Sequence, residues 1–119
     1  DGTISLRIYD ADNDGTPASA AQKNGVSPNF IHSVDSTHMV LTINSTDLDS
    51  YAMIHDDYGT HAGNTQQLFE SIRKSFKYMY TKYKPLEDWA DQVGANKVTM
   101  PKEGLYDINL ILKADYFFG

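Results

Sequence analysis

The sequence predicts an α+β fold in which a small antiparallel sheet packs against helices. Residues 4–8 alternate between apolar and polar side chains, the period of two that is typical of a half-buried strand. Two longer stretches, residues 27–44 and 64–83, repeat apolar side chains at the spacing of amphipathic helices. A third observation is the apolar run at residues 51–54, which leads directly into two acids. The resulting order of strand, helix, hairpin and two helices is that of an α+β unit.

The composition limits the classes of function. The 119 residues are enough for one domain with one core. The chain has no cysteine, so disulfides, thiolate metal sites and a cysteine nucleophile are excluded. No apolar run approaches the roughly 18 residues that a membrane span requires. The net charge of −6 argues against a free-standing nucleic-acid binder, because binding to phosphates requires an excess of lysine and arginine.

The first main helix is predicted over residues 27–44. Residues 10–25 are rich in Asp, Asn, Gly and Ala and predict a loop or flexible arm, with some helix near residues 18–23. Ser27 is suited to be the N-cap of the main helix and Pro28 to occupy its first turn. The positions expected to face the core are Phe30, Ile31, Val34, His38 and Leu41.

A second, polar stripe lies on the same helix. His32 and Asp35 are one turn apart, so both side chains can point at the same place. One interpretation puts His32 in a cleft as a hydrogen-bond donor to a substrate, and the other makes the two residues a weakly paired helix surface. His38 lies on the apolar face and is expected to be a hydrogen-bonded core histidine.

The stretch "SYAMIHDDYGTHAG", residues 50–63, predicts a β-hairpin with an acidic tip. The first strand should end at His55, and residues 58–60 should form the returning strand around a tip that is longer than, or turned differently from, the Asn-Gly type. Acids held at a strand end fit Mg²⁺, which binds one or two carboxylates together with substrate phosphates. Two alternatives stay open: an ordinary hydrophilic tip, and a transition-metal site made by His55, Asp56 and His61.

The remaining elements are helical. The helix at residues 64–83 should end at Pro85, residues 86–93 should add a turn or two, and a short helix from about Asp107 should lead into an aromatic tail. The tail would expose its aromatic side chains unless it docks, and docking would place the carboxylate of Gly119 at a defined position. The apolar face expected on the long helix comprises Leu68, Phe69, Ile72, Phe76, Met79, Tyr80 and Tyr83.

Three stretches resemble, in the same order, the C-terminal part of single-subunit DNA-directed RNA polymerases, the family of the bacteriophage-type and mitochondrial enzymes. They are "QKNGVSPNFIHSVDSTHM", "YAMIHDDYGTHAG" and "YDINLILKADYFFG". The family patterns run close to N-G-x-x-P-N-F-[IV]-H-S-x-D-x-x-H, to H-D-S-[FY]-x-T of the third palm motif, and to D-[LI]-x-x-[IV]-L with an aromatic finish. The resemblance, from about Gln22 to Gly119, implies that residues 27–119 are a C-terminal palm segment. Residues 1–26 would then be a strand and arm leading from the junction of fingers and palm.

The resemblance also implies roles for individual residues. Asp56 matches the palm aspartate that binds the two catalytic Mg²⁺ ions, and His55 matches the histidine beside it, which makes these two the candidate catalytic residues. His32 matches the histidine that lies along the minor groove at the growing RNA end. His38 matches a further family position on the same helix, with a structural role. The supporting positions are Asp35, Tyr58 and Gly119.

This sequence departs from the family pattern at two positions. Asp57 stands where the phage enzymes have a serine, so it could add a metal ligand or could face away from the metal. Ala21 stands where relatives often carry a lysine. The family's other metal-binding aspartate, and the lysine and tyrosine of its fingers helix, cannot be placed in this chain. One aspartate cannot hold two Mg²⁺ ions, so we expect the chain to be inactive alone, either as the C-terminal piece of a longer polymerase or as the smaller subunit of a split enzyme.

The expected function is therefore transcription, the templated transfer of ribonucleotides to an RNA 3′ end. The expected partners are the remainder of the polymerase, a DNA template, nascent RNA and ribonucleoside triphosphates, with no membrane. The cytoplasm of a phage-infected bacterium or the virion is the expected location, ahead of the mitochondrion. The missing part would carry most of the basic template channel, which reconciles the negative charge with this function. The alternatives are a non-catalytic palm-like module that docks on a partner, and a small metal-dependent hydrolase, which would need a second carboxylate cluster.

Overall fold

A computed structural model describes residues 2–3, 15–95 and 98–117. The predicted α+β class is confirmed, because the described residues form three α-helices and a two-stranded antiparallel sheet. The strand predicted at residues 4–8, the first five residues of the arm that follows it (10–14), and Gly119 lie outside the described residues. In chain order the elements are α1 (Ser19–Asn44), β1 (Ala52–Ile54), β2 (Asp57–Gly59), a 3-10 turn (Ala62–Asn64), α2 (Thr65–Tyr78), a π-helical turn (Met79–Tyr83), α3 (Pro85–Gln92) and a C-terminal 3-10 helix (Ile108–Leu112).

Helix α1 is longer than predicted. It runs without interruption for 26 residues and includes Pro28, so the prediction that it begins at Ser27 is wrong. The residues just before the proline, "SAAQK" at 19–23, include good helix formers, and they are exposed. Pro28 cannot donate a hydrogen bond to the carbonyl of Asn24, but residues 19–24 are exposed, so the chain can adjust around the ring. The division of the chain into an arm and a palm segment at residue 26 stays a prediction.

Helices α1 and α2 pack against each other through polar as well as apolar side chains. Thr42 on α1 is fully buried, and its Oγ1 lies 2.6 Å from the Oγ of Ser75, which is also buried. Side chains this small let the two backbones approach closely. The apolar core around this crossing is formed by Val34, Leu68, Met79, Ala90 and Ile111.

The apolar face predicted for residues 64–83, which the structure divides between α2 and the π-helical turn, is only partly buried. Leu68 and Met79 are buried, whereas Phe69, Tyr80 and Tyr83 keep 41–45 % of their surface exposed. The physical reason is that α2 is covered on two sides, by α1 and by the C-terminal 3-10 helix, so its buried surface is not a single apolar stripe. The same applies to α1, where Ile31 was expected to face the core and is 53 % exposed.

Helix α3 begins where the long helical stretch was expected to end. The backbone of Lys84 is left-handed, with φ of 48°, and Pro85 then occupies the first turn of α3. The ring of Trp89 packs on Phe30 with centroids 5.3 Å apart, which docks α3 on α1. Within the part of the chain that the structure describes, no helix is long and apolar enough to cross a membrane.

Candidate active site

The acidic hairpin has a tight tip. Strands β1 and β2 pair with Ile54 opposite Asp57, which leaves His55 and Asp56 as a two-residue turn. The φ of His55 is +56°, and among the two turn residues only His55 has a positive φ, which is the pattern of a type II′ turn. The tip is thus turned differently from the Asn-Gly type, as predicted, and it has the same length of two residues. Strand β1 ends at Ile54, one residue earlier than the predicted end at His55. Asp56 is exposed at this tip.

Close contacts fix the base of the hairpin. Gly59 lies opposite Ala52, and a Cβ on Gly59 would come within 3.2 Å of both the Cβ and the carbonyl oxygen of Ala52. A larger residue at position 59 would therefore push the strands apart. The hydroxyl of Tyr51 is hydrogen-bonded to the hydroxyl of Thr46, just after α1, and accepts a hydrogen bond from the amide of Leu48 at 3.2 Å. The hairpin is thereby attached to the C-terminal end of α1.

A buried histidine joins the hairpin to both long helices. Nε2 of His38 lies 2.8 Å from the carbonyl oxygen of Ile72. A carbonyl can only accept, so Nε2 carries the proton, and Nδ1 of the neutral ring accepts from the hydroxyl of Tyr58 at 3.2 Å. Burial lowers the pKa of His38, against the raising effects of the Ile72 bond and of Asp35, and favours this neutral form. The predicted hydrogen-bonded core histidine is confirmed.

Tyr58 lies in the field of two carboxylates. Burial, followed by the negative charges of Asp35 and Asp56, raises the pKa of Tyr58 to about 12, although a hydrogen bond with Thr42 acts in the opposite direction. The phenol therefore stays protonated at neutral pH. It serves as a neutral donor to His38 and does not add a third negative charge beside the two acids.

Four of the predicted site residues line one cleft. This cleft has a volume of about 500 Å³ and is bordered by His32, Asp35, Ser36, His55 and Asp56. The polar stripe of α1 and the tip of the hairpin thus face the same space. The structure supports the expectation that His32 and Asp35 point at one place.

Asp56 also borders two neighbouring clefts, and Asp57 belongs to only one of them. The cleft of about 350 Å³ is lined by Asp35, His38, Asp56, Tyr58, Phe76 and Phe117. The cleft of about 280 Å³ is lined by Asp56, Asp57, Tyr58, Phe69, Ile72, Arg73, Asp115, Tyr116 and Phe117. Of these three clefts, Asp57 borders only the one of about 280 Å³, which His32 does not line, whereas Asp56 borders all three.

The donor atoms fit part of a metal site. Among residues 2–3, 15–95 and 98–117, no three His, Cys, Asp or Glu side chains are grouped closely enough to hold a metal ion. The transition-metal site considered for His55, Asp56 and His61 is therefore not formed. An exposed carboxylate such as that of Asp56 fits a hard cation whose other ligands come from elsewhere.

Comparison with known proteins shows the family of the chain. A family model described as DNA-dependent RNA polymerase matches residues 3–98. The chain belongs to this family. It is 31 % identical over 110 residues to the DNA-directed RNA polymerase of Enterobacteria phage T3, which covers 82 % of the chain and 12 % of that protein. It is 30 % identical to the human mitochondrial enzyme over 87 % of the chain and 10 % of that protein. No solved structure gives a match.

The resemblance inferred from the three motifs is thereby confirmed at the level of the family. A relative of more similar length, DNA-directed RNA polymerase 1A of Nicotiana tabacum, is 30 % identical over 82 % of the chain and 67 % of that protein. The chain spans only about one eighth of the length of the phage T3 and T7 polymerases that it matches.

One notable residue of this chain was missed by the sequence analysis. Arg73, on α2, is only 2 % exposed, and its Nη1 donates to the carbonyl oxygens of Ile111 at 2.5 Å and Ala114 at 2.6 Å. Its guanidinium carbon lies 3.9 Å from the centre of the Phe69 ring. The sequence does contain one indication that Arg73 is buried. It lies four residues after Phe69 and three before Phe76, and so falls within the stripe that was expected to be apolar.

Proposed function

We propose that this chain forms part of the catalytic centre of a DNA-directed RNA polymerase that adds ribonucleotides to the 3′ end of RNA. The observation that supports this most directly is the cleft in which Asp56 and His55 of the hairpin face His32 and Asp35 of α1. An acid on a tight turn between paired strands is held on a rigid element, as a group that must be placed accurately requires.

In this proposal each side chain has a distinct task. Asp56 is a ligand of the catalytic Mg²⁺ ions, and the second acid ligand is supplied by a part of the polymerase outside this chain. The RNA 3′-oxygen would form the new bond to the α-phosphate of the incoming nucleotide, pyrophosphate would leave as the α–β bond breaks, and the hydroxyl proton would pass to water. Mg²⁺, when bound, would supply neutralisation of the phosphate charge. His55 borders the same position. His32, exposed on α1, donates a hydrogen bond to the RNA end, and Asp57 faces the neighbouring cleft and is not a primary ligand.

The rest of the polymerase is the main partner in this proposal, as a preceding region or as a separate subunit. Large apolar side chains of the described residues are widely exposed, among them Ile54 at 68 % and Tyr106 at 67 %. Such surface is suited to packing against a larger body. DNA, RNA and ribonucleoside triphosphates would bind in the completed channel, whose basic residues would come mostly from that body. The host compartment would be the cytoplasm of a phage-infected bacterium.

The test is RNA synthesis by the complete polymerase carrying Asp56→Asn. Loss of a metal ligand should lower the rate of nucleotide addition by roughly 100-fold or more, because the ion supplies several kcal/mol of charge stabilisation. The matched control is Asp49→Asn, which removes an exposed acid from the loop before β1 and should leave the rate unchanged. A near-normal rate for Asp56→Asn would refute the proposal.

A separate measurement tests His32. The variant His32→Ala should lower fidelity or processivity more than it lowers the rate on a matched primer end. Misincorporation equal to that of the unmodified enzyme would contradict the role of His32 without affecting that of Asp56.

The second candidate function is a non-catalytic module that docks on a partner through its exposed apolar surface. The observation that favours it is that the described residues contain no complete metal site. A titration of the assembled complex with Mg²⁺ distinguishes the two functions. If Asp56→Asn leaves metal binding unchanged, the docking module is the better account.

A further inference from the structure

Arg73 links α2 to the C-terminal segment. Both hydrogen atoms of Nη1 are used, one for the carbonyl of Ile111 and one for that of Ala114. These carbonyls lie at the end of the C-terminal 3-10 helix and just after it. A charged donor strengthens each bond, and burial strengthens it further because water cannot compete.

The ring contacts around the guanidinium explain why this residue is an arginine. The guanidinium carbon lies over two rings, 3.9 Å from the centre of Phe69 and 5.5 Å from the centre of Phe117. Lysine has no flat group that could stack in this way, and its ammonium is a flexible point charge without the fixed planar donors of a guanidinium. Within the described part of the chain, Nε and Nη2 have no hydrogen-bond partner. Burying them costs stability, so the residue serves the structure through its Nη1 bonds and its stacking.

The segment that Arg73 holds reaches the candidate active site. Phe117 borders two of the three clefts that contain Asp56. It packs edge-on against Phe76 with centroids 5.0 Å apart, and Phe76 in turn packs edge-on against His38 at 5.3 Å. His38 accepts the hydrogen bond of Tyr58 on the hairpin. A row of rings thus connects the anchored segment to the strand that follows Asp56.

We propose that Arg73 is a positioning residue for the Asp56 site, because its two hydrogen bonds to Ile111 and Ala114 hold Phe117 as a wall of the clefts beside Asp56. The effect on catalysis rests on the proposed polymerase function, whereas the anchoring of residues 108–117 does not. Arg73 touches neither substrate nor metal in this proposal. It acts by fixing the C-terminal segment.

The first measurement is amide hydrogen exchange in the complete polymerase. Arg73→Gln should raise the exchange rates of residues 108–117 by about tenfold or more, because the loss of two charged hydrogen bonds lowers the cost of local opening. Arg73→Lys, which keeps the charge, should not restore protection. The matched control is Lys74→Gln, which removes an adjacent positive charge from a side chain that is 70 % exposed. Unchanged exchange in Arg73→Gln would overturn the anchoring.

The second measurement separates positioning from general stability. Arg73→Gln should lower kcat for nucleotide addition by about 10- to 100-fold, the range for a displaced site, while KM changes little. Phe117→Ala should lower kcat in the same way and leave the exchange of residues 108–114 intact. If Arg73 acts through Phe117, the double variant should be no slower than the worse single variant.

The outcomes can be told apart. Losses that multiply in the double variant would overturn the claim that Arg73 acts through Phe117. If Arg73→Gln fails to fold, Arg73→Lys and Phe117→Ala still provide both measurements. If the unmodified assembly synthesises no RNA, the proposed function fails, and the exchange data alone decide whether Arg73 anchors the segment.

Discussion

Replacing Thr42 with valine tests whether a pair of hydroxyl groups holds α1 against α2. Thr42 Oγ1 lies 2.9 Å from the carbonyl of His38 and 2.6 Å from Ser75 Oγ, and Ser75 Oγ lies 3.1 Å from the carbonyl of Ile72. These three contacts, together with the hydrogen bond between Thr42 and Tyr58, share the hydroxyl protons of the two side chains. Valine has the shape of threonine but offers no donor, so the substitution removes the polar contact without opening a large cavity.

The expected cost follows from these distances. The lost hydrogen bond accounts for about 1 kcal/mol of the free energy of local opening. A methyl group cannot stay 2.6 Å from an oxygen, since carbon contacts are favourable at roughly 3.5 Å, so the helices must separate at a further cost of about 1–2 kcal/mol. Thr42→Val should therefore destabilise the α1–α2 contact by about 2–3 kcal/mol.

A double-mutant cycle provides the control. Ser75→Ala removes the oxygen that the methyl group would strike, so Thr42→Val combined with Ser75→Ala should recover about 1 kcal/mol relative to the sum of the single changes. Amide exchange of α1 and α2 peptides, corrected for intrinsic rates, measures the opening free energy of each variant. A valine variant within about 0.5 kcal/mol of the unmodified protein, or strictly additive effects, would refute the reasoning.

Three further predictions concern pH and backbone strain. Burial lowers the pKa of His38 from its ordinary 6.5, so the neutral ring should contribute fully to stability above pH 6.5, and this contribution should be lost as the pH falls below it. Amide protection in α1 should therefore decrease in acid, and this decrease should be absent in His38→Gln. Because the pKa of Tyr58 is raised to about 12, the neutral phenol should stabilise the fold below pH 10, and this contribution should be lost as the pH rises through about 12; ultraviolet titration of Tyr58→Phe should lack that step. Since His55 has a positive φ, His55→Gly should stabilise the hairpin by about 1 kcal/mol, and His55→Val should destabilise it. Amide exchange of β1 and β2 measures both effects. Equal protection in the two variants would contradict the inference that the backbone of His55 is strained.

The sequence predicted the elements whose signals are local. The hairpin is one example, because the apolar run before His55 and the polar tip fall within a few residues of each other. The beginning of α1 was missed because proline is common in the first turn of a helix, and Pro28 was therefore assigned there. In this helix it occupies the less common interior position. Only the exposure of the preceding turns, a property of the whole fold, distinguishes the two cases.

The candidate site was predictable in part. The spacing of His32 and Asp35 indicated that the two side chains point in one direction. Their position opposite Asp56 depends on how α1 lies against the hairpin strands, and the sequence suggested it only through the resemblance. The burial of Arg73 could not be predicted, because its partners Ile111 and Ala114 lie 38 and 41 residues further along the chain. Local hydrophobic spacing contains no information about contacts of that range.

The two-residue tip makes the length of the hairpin a constraint that is separate from its composition. Side chains alternate along β2, so inserting or deleting one residue between Ile54 and Tyr58 would shift the register and reverse the faces of the strand. Tyr58 would then point away from His38, and the acid at the tip would leave the space it shares with α1. A substitution at the tip changes one side chain, whereas a change of length would separate the hairpin from the helix it faces. The number of residues in this hairpin is therefore as important to the site as their identity.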